Sequence, residues 1–223
     1  MLPNRPTVAV IGASGAMGSR IVRRLLDAQY RVCAFDTNLF PLQVMQGAEP
    51  LVTLFTDPVE ACLAADVVIL AIPYQAEQDF ATRVGDALQQ RIVVSMTNPL
   101  TPSLDDVLTP HDESAAEHLA QLMPHARVVK ALNSISVAAF DTPLTTRPVF
   151  DTFVASDDRD AARVVERMIT SMGFRPWYVG SLILSRTLER MSALLIGVAM
   201  RYGLQGALGW HIEQVQPEHH ADV

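Results

Sequence analysis

The chain has 223 residues, 49% of them hydrophobic, which suffices for one large domain or a domain with an appendage around a substantial core. Its 17 Lys and Arg stand against 24 Asp and Glu, a formal charge of -7, which argues against a nucleic-acid backbone or an anionic membrane surface as partner. Cys33 and Cys62 lie in apolar contexts and form no CxxC pair, so they read as reduced, packed thiols of a cytoplasmic protein.

The opening "MLPNRPTVAV" runs straight into a strand pattern, without the apolar core and cleavage site of a signal peptide. Val- and Ile-rich runs at 7–12, 31–36, 66–73, 91–97, 127–133 and 149–156 predict strands, and "GFRPWYVG" at 173–180 one more. Between them, helical patterns cover Ala16 to Ala28, Pro58 to Ala64, Gln75 to Leu88, Ser114 to Met123 and Asp158 to Met172. Strands that are apolar without alternation are covered on both faces, and hence parallel. The alternation predicts an α/β fold: a Rossmann-type, doubly wound, mostly parallel sheet over 1–180, with a C-terminal helical segment over 181–211 and a polar tail over 212–223.

Residues 98–113 break the rhythm with three prolines and read as a binding or lid segment. The unbroken apolar run Met191 to Met200 ends at Arg201, too short to span a membrane. The long helix that contains it, expected to reach about Trp210, carries the small residues Ala193, Gly197 and Gly206 and is read as the contact of a homodimer.

Gly12, Gly15 and Gly18 follow the first strand as G-x-x-G-x-x-G and open the first helix. Gly12 can turn off the strand, Gly15 lets backbone approach a pyrophosphate, and Gly18 lets helix pack on strand. The amides of Ser14, Gly15, Ala16 and Met17 would then face the phosphates. A P-loop is excluded because no GK[ST] follows, and a serine-nucleophile elbow fails because Ala16 stands where glycine is required.

Asp36 closes the second strand 18 residues after Gly18, where a carboxylate accepts both ribose hydroxyls of NAD and repels the 2′-phosphate of NADP. The bland alternative is an aspartate that merely ends a strand. Ligands of such sheets lie at the carboxyl ends of the strands, which singles out Ile72, Pro73 and Tyr74, then Asn98 and Pro99 beside Thr97, then Asn133 and Ser134. Each also has a structural reading: Pro73 as strand terminator, Asn98-Pro99 as turn opener, Ser134 as helix cap. No histidine, lysine or acid other than Asp36 is expected at these tips, so no catalytic acid or base is assigned. His111, His118 and His125 recur every seven residues and read as a solvated helical face rather than a metal site.

"IGASGAMG", "VVILAIP", "IVVSMTNPL", "RVVKALNSI", "FVASDDRDAARVV", "GFRPWYVGSL" and "SRTLERMSALLIGVAMRYG" together resemble the NADP oxidoreductase family that uses the deazaflavin coenzyme F420. The resemblance spans roughly residues 7 to 205. It implies a dimeric enzyme that passes a hydride directly between a nicotinamide and a small-molecule acceptor, a deazaflavin or flavin ring. It further implies that Ser14 to Met17 hold the pyrophosphate, that Ile72 and Pro73 line the nicotinamide side, and that Asn133 and Ser134 adjoin the acceptor. Two positions depart from the pattern. Asp36-Thr37-Asn38 stands where NADP-using members place Ser or Thr and arginines, so the local chemistry predicts NAD where the resemblance implies NADP. Asn133 stands where the deazaflavin enzymes carry His, which keeps other acceptors open. The competing expectations are a redox-sensing module that binds the dinucleotide without turnover, and an imine or carbonyl reductase.

Overall fold

In the computed structural model, which describes residues 5–143, 145 and 149–214, four-residue strands carry most of the sheet. The elements are β1 (Val8–Ile11), α1 (Ala16–Asp27), β2 (Val32–Phe35), α2 (Phe40–Ala48), β3 (Val52–Leu54), α3 (Pro58–Leu63), β4 (Val67–Leu70) and α4 (Tyr74–Val84). There follow β5 (Ile92–Ser95), α5 (Ala115–Leu122), β6 (Arg127–Lys130), α6 (Val137–Asp141), β7 (Asp151–Ala155), α7 (Arg159–Ser171), β8 (Arg175–Gly180) and α8 (Ser185–Tyr202).

The sheet runs β3-β2-β1-β4-β5-β6-β7-β8 and is parallel except where β7 meets β6. Both faces are covered, as the unalternating strands require. Val8 and Val10 point into a core shared with Ile21, Leu25, Val165 and Ile169 of α1 and α7, whereas Ala9 and Ile11 point into one shared with Ala61, Ala81 and Leu119 of α3, α4 and α5. Each fully buried Val, Leu or Ile side chain among these contributes about 1.5 to 3 kcal/mol. α7 shows how its own sequence starts it: the Asp158 carboxylate accepts from the amides of Asp160 and Ala161 at 3.0 and 2.9 Å, and residues 161, 165, 168 and 169 form its buried stripe.

The chain reverses direction about β1, with β2 and β3 to one side and β4 onward to the other. The crevice past the carboxyl ends of β1 and β4 is therefore the place for a ligand.

Three elements escape the sequence pattern. α2 and β3 fill 40–54, where β3 is an edge strand of three residues with only Val52 buried. α6 is a short helix of five residues. The C-terminal helix is shorter than its apolar pattern implied, because Gly203 adopts φ 61° and stops α8 at Tyr202. Residues 203–212 turn back instead: Leu208 exchanges hydrogen bonds with Ser136, and Trp210 bridges Asp151 at the start of β7. From residue 215 onward the tail, with His219 and His220, lies outside the described residues.

Candidate functional site

Close backbone packing shapes the turn between β1 and α1. Gly12 has φ 87°, and a Cβ there would stand 2.4 Å from the Ala71 carbonyl oxygen of the neighbouring strand end. At Gly18 a Cβ would stand 2.0 Å from the Gly12 carbonyl oxygen, so only glycine lets α1 lie this close to β1. Gly15 is the N-cap of α1, and no side chain caps the helix. The first amides of a helix lack intrahelical acceptors, so Ala16 and Met17 present free donors at the positive end of the dipole. These residues fit a pyrophosphate.

The Ser14 and Gly15 amides do not have that freedom. Ser14 donates to Asp36 Oδ2 at 2.9 Å, and Gly15 to the Gly12 carbonyl at 3.1 Å. This corrects the expectation that all four amides face phosphates: only the last two are open.

Asp36 also accepts from the Asn38 amide at 3.1 Å and from the Thr37 hydroxyl at 3.3 Å. Burial works against its charge, but the amides of Asn38 and Ser14 and the hydroxyls of Ser14 and Thr37 outweigh it and hold the carboxyl below its usual range. A negative charge is thus fixed at the end of β2, beside the glycine turn. Two of the three α1 arginines do not offset it, since Arg20 pairs with Asp141 at 2.7 Å and Arg24 donates to the carbonyls of Phe140 in α6 and of Thr142 just after it.

Past the ends of β1, β4, β5 and β6 opens a pocket of about 520 Å³. Of the expected residues it gathers Met17, Ile72, Asn98 and Asn133; Gly12, Ser14, Gly15, Ala16, Gly18 and Asp36 lie outside its lining, as do Pro73, Tyr74, Pro99 and Ser134. Pro73 is the N-cap of α4, and the Pro99 carbonyl accepts from Leu108 within the 98–113 loop. The Tyr74 hydroxyl turns to α5, 3.0 Å from His118 Nδ1, while His118 Nε2 lies 2.6 Å from Glu113. His118 alone of the three spaced histidines lies on α5, so they share no helical face.

Asn98 and Asn133 form a reciprocal amide pair. Asn98 Nδ2 donates to the Asn133 carbonyl and Asn133 Nδ2 to Asn98 Oδ1, each at 2.9 Å. Asn133 Nδ2 also donates to the Leu188 carbonyl at 2.8 Å, and the Ser192 hydroxyl to the Asn133 carbonyl at 2.7 Å, which ties α8 to the strand tips. With its nitrogen so held, Asn133 Oδ1 remains a buried acceptor without a partner. The preceding residue, Leu132, takes a left-handed φ of 60°, a strain of about 1 to 3 kcal/mol that redirects the chain after β6.

The far wall comes from Ser192, Leu195, Ile196, Ala199 and Met200 of α8 and from Leu208 of the returning segment. Behind it sits a cluster that spacing did not reveal. Lys130, at the tip of β6 and fully buried, donates to the Thr97 carbonyl and, at 2.8 Å, to Glu189 of α8. Glu189 in turn accepts from the amides of Ala115 and Ala116 at the start of α5. Glu77 of α4 is equally buried; the Thr97 and Ser95 hydroxyls approach it without completing a well-formed hydrogen bond. Burial raises its carboxyl above the usual range, with the Lys130 charge opposing. A lysine and two acids thus do stand at the strand tips, contrary to expectation, although none reaches the pocket lining. The available signal was a single lysine inside the apolar run "RVVKAL" and a glutamate inside "LERMSALL".

A family model described as NADP oxidoreductase, coenzyme F420-dependent, matches residues 7–99. The F420-dependent NADP reductase of Methanocaldococcus jannaschii is 30% identical over 155 residues, covering 66% of this chain and 68% of that protein. The chain belongs to this family. Its membership makes the chain an oxidoreductase with a dinucleotide-binding fold. The F420-dependent NADP reductase of Methanothermobacter thermautotrophicus aligns over nearly the full length, 28% identical across 90% of this chain and 92% of the relative. A crystal structure from Arthrobacter sp., itself assigned provisionally to the F420-dependent NADP reductases, superposes with a TM-score of 0.80 at 21% identity over 94% of this chain and 100% of that one, which shows the shared fold. Among the described residues no helix is long and apolar enough to cross a membrane.

Proposed function

We propose that this family member is a cytoplasmic oxidoreductase that passes a hydride directly between the nicotinamide of NAD or NADP and a deazaflavin or flavin ring. The pocket lining carries this reading: among the described residues it contains no Asp, Glu, His, Lys, Arg, Cys or Tyr. Transfer between two stacked rings depends on alignment and exclusion of water rather than on a positioned acid or base. When bound, the dinucleotide supplies the hydride at its nicotinamide. The amides of Ala16 and Met17 hold the pyrophosphate, Gly15 permits the approach, and Gly12 and Gly18 fix the turn. Ile72, ahead of Pro73 and Tyr74, lines the nicotinamide side. Asn98, ahead of Pro99, positions Asn133, whose free Oδ1 accepts from a ligand N–H, with Ser134 behind it. An imine or carbonyl reductase needs a proton at its substrate, and the lining supplies no titratable donor.

Asp36 supports a preference for NAD, because its fixed charge opposes a 2′-phosphate and Arg20 and Arg24 of α1 are engaged elsewhere. The relatives, by name, use NADP. The test is anaerobic mixing of the protein with NADH or NADPH and with coenzyme F420 or FMN, followed by absorbance. Oxidation of NADH faster than NADPH, reversed in Asp36→Ser, is expected. Deuterium from the nicotinamide should appear on the deazaflavin carbon rather than in water. Tight binding of NADH with no oxidation by any acceptor would instead establish the redox-sensing module.

Leu194, Val198 and Tyr202 form an exposed row on α8, and this row supports a homodimer with a second copy. Of the small residues expected there, Ala193 is buried within its own subunit and Gly206 lies beyond the helix; on the helix itself Gly197 faces open space. Sedimentation should give a dimer that Val198→Asp dissociates.

A further inference from the structure

The opposite end of the strands holds a second cavity, of about 930 Å³. It lies where β1, β4, β5 and β6 begin, across the height of the strands from the glycine turn. Five guanidinium groups line it, from Arg5, Arg31, Arg91, Arg127 and Arg167, with Asp66 as the one carboxylate in the lining among the described residues. In a chain of formal charge -7, such a concentration of positive charge runs against the composition.

Only two of the five arginines have acidic partners. Arg127 pairs with Asp158 at 2.6 Å, and Arg91 lies 3.9 Å from Asp66, whose other oxygen accepts the Thr7 amide. Among the described residues Arg5, Arg31 and Arg167 make no ion pair. Arg5 is also held in place: its guanidinium lies 4.9 Å over the Tyr30 ring, and its Nη1 is buried with no hydrogen-bond partner. A buried donor without an acceptor is costly, and a guanidinium fork matches the paired oxygens of phosphate or carboxylate.

We propose that this cleft binds a small, multiply charged anion, an organic phosphate or a polycarboxylate, at a site separate from the dinucleotide crevice. The cleft is walled by residues from seven parts of the chain, so its occupant bridges the starts of several strands to α7. A long polyanion such as nucleic acid is disfavoured by the chain's formal charge of -7.

The probes are tripolyphosphate and citrate, titrated by calorimetry into the intact protein at low ionic strength. Saturable binding of at least one is expected, weakened about ten-fold or more in the R31A/R167A double variant. Both substituted residues are exposed, so the variant should unfold at the wild-type temperature without anion, and R167E alone provides a second measurement of the same loss. Preference for tripolyphosphate assigns a phosphorylated ligand, and preference for citrate a polycarboxylate. Absence of saturable binding overturns the proposal. So does binding of unchanged strength in the variants, which would place the anion outside this cleft.

Discussion

The two walls of the crevice past the strand ends are built by different means. The wall made by β1 and α1 is held by backbone: Gly12 and Gly18 bring main chain against main chain, and no side chain caps the helix. The wall made by α8 is held by side chains that reach across the fold, Lys130 to Glu189 and Asn133 to Ser192 and the Leu188 carbonyl. The first kind of wall tolerates no added atom; the second tolerates no lost partner. A site can thus be rigid on both sides while its two sides fail under opposite kinds of substitution.

The contrast is tested most severely by Lys130→Met. It leaves Glu189 buried and without its cation, a loss of about 3 to 5 kcal/mol in urea unfolding. Pairing it with Glu189→Gln should recover part of that loss, whereas no recovery would show that the pair does not act as a unit. Gly18→Ala probes the other wall by addition: the new methyl meets the Gly12 carbonyl and should cost about 1 to 3 kcal/mol and weaken dinucleotide binding in a fluorescence titration. Asn133→Ala is milder, about 1 to 2 kcal/mol for the lost hydrogen bonds, with hydride transfer slowed more than dinucleotide binding.

Glu77→Gln should have the smallest effect and the most informative pH dependence. Burial raises the folded-state affinity of Glu77 for its proton, so the folded chain binds more protons than the unfolded chain once pH exceeds the unfolded carboxyl value. The wild type therefore loses stability as pH rises from there through the folded value. The variant should match it near about pH 4 and gain on it toward about pH 8 in thermal midpoint. A gap that stays constant across that range would show that Glu77 acts by shape rather than charge.

Much of the first wall was legible because its requirements are local. Three glycines at fixed spacing, an unbroken apolar strand and Asp36 at the next strand end all lie within 29 residues, from Val8 to Asp36. The second wall was not, because its partners are 59 residues apart, Lys130 with Glu189 and Asn133 with Ser192. Periodicity also misled where chain geometry intervenes. Leu204 and Leu208 extend the apolar pattern of α8, but Gly203 in the left-handed region turns them into a different structure. The three histidines spaced by seven suggested one face, yet the helix between Ala115 and Leu122 is too short to hold them. Strand β3 lacked signal because a three-residue edge strand with one buried side chain barely differs from a loop.

The returning segment 203–212 places Leu208 in the same pocket as Met17, 191 positions earlier in the chain (208 − 17). Contacts between such distant positions form late, since the loop entropy of closing them is recovered only after the intervening sheet exists. The glycine turn should therefore be protected early in refolding and Leu208 last, so that a refolding chain holds its dinucleotide crevice before it has an acceptor pocket. Pulsed hydrogen exchange at the Leu208 and Ile212 amides, which bond to Ser136 and Asp151, would time that final closure.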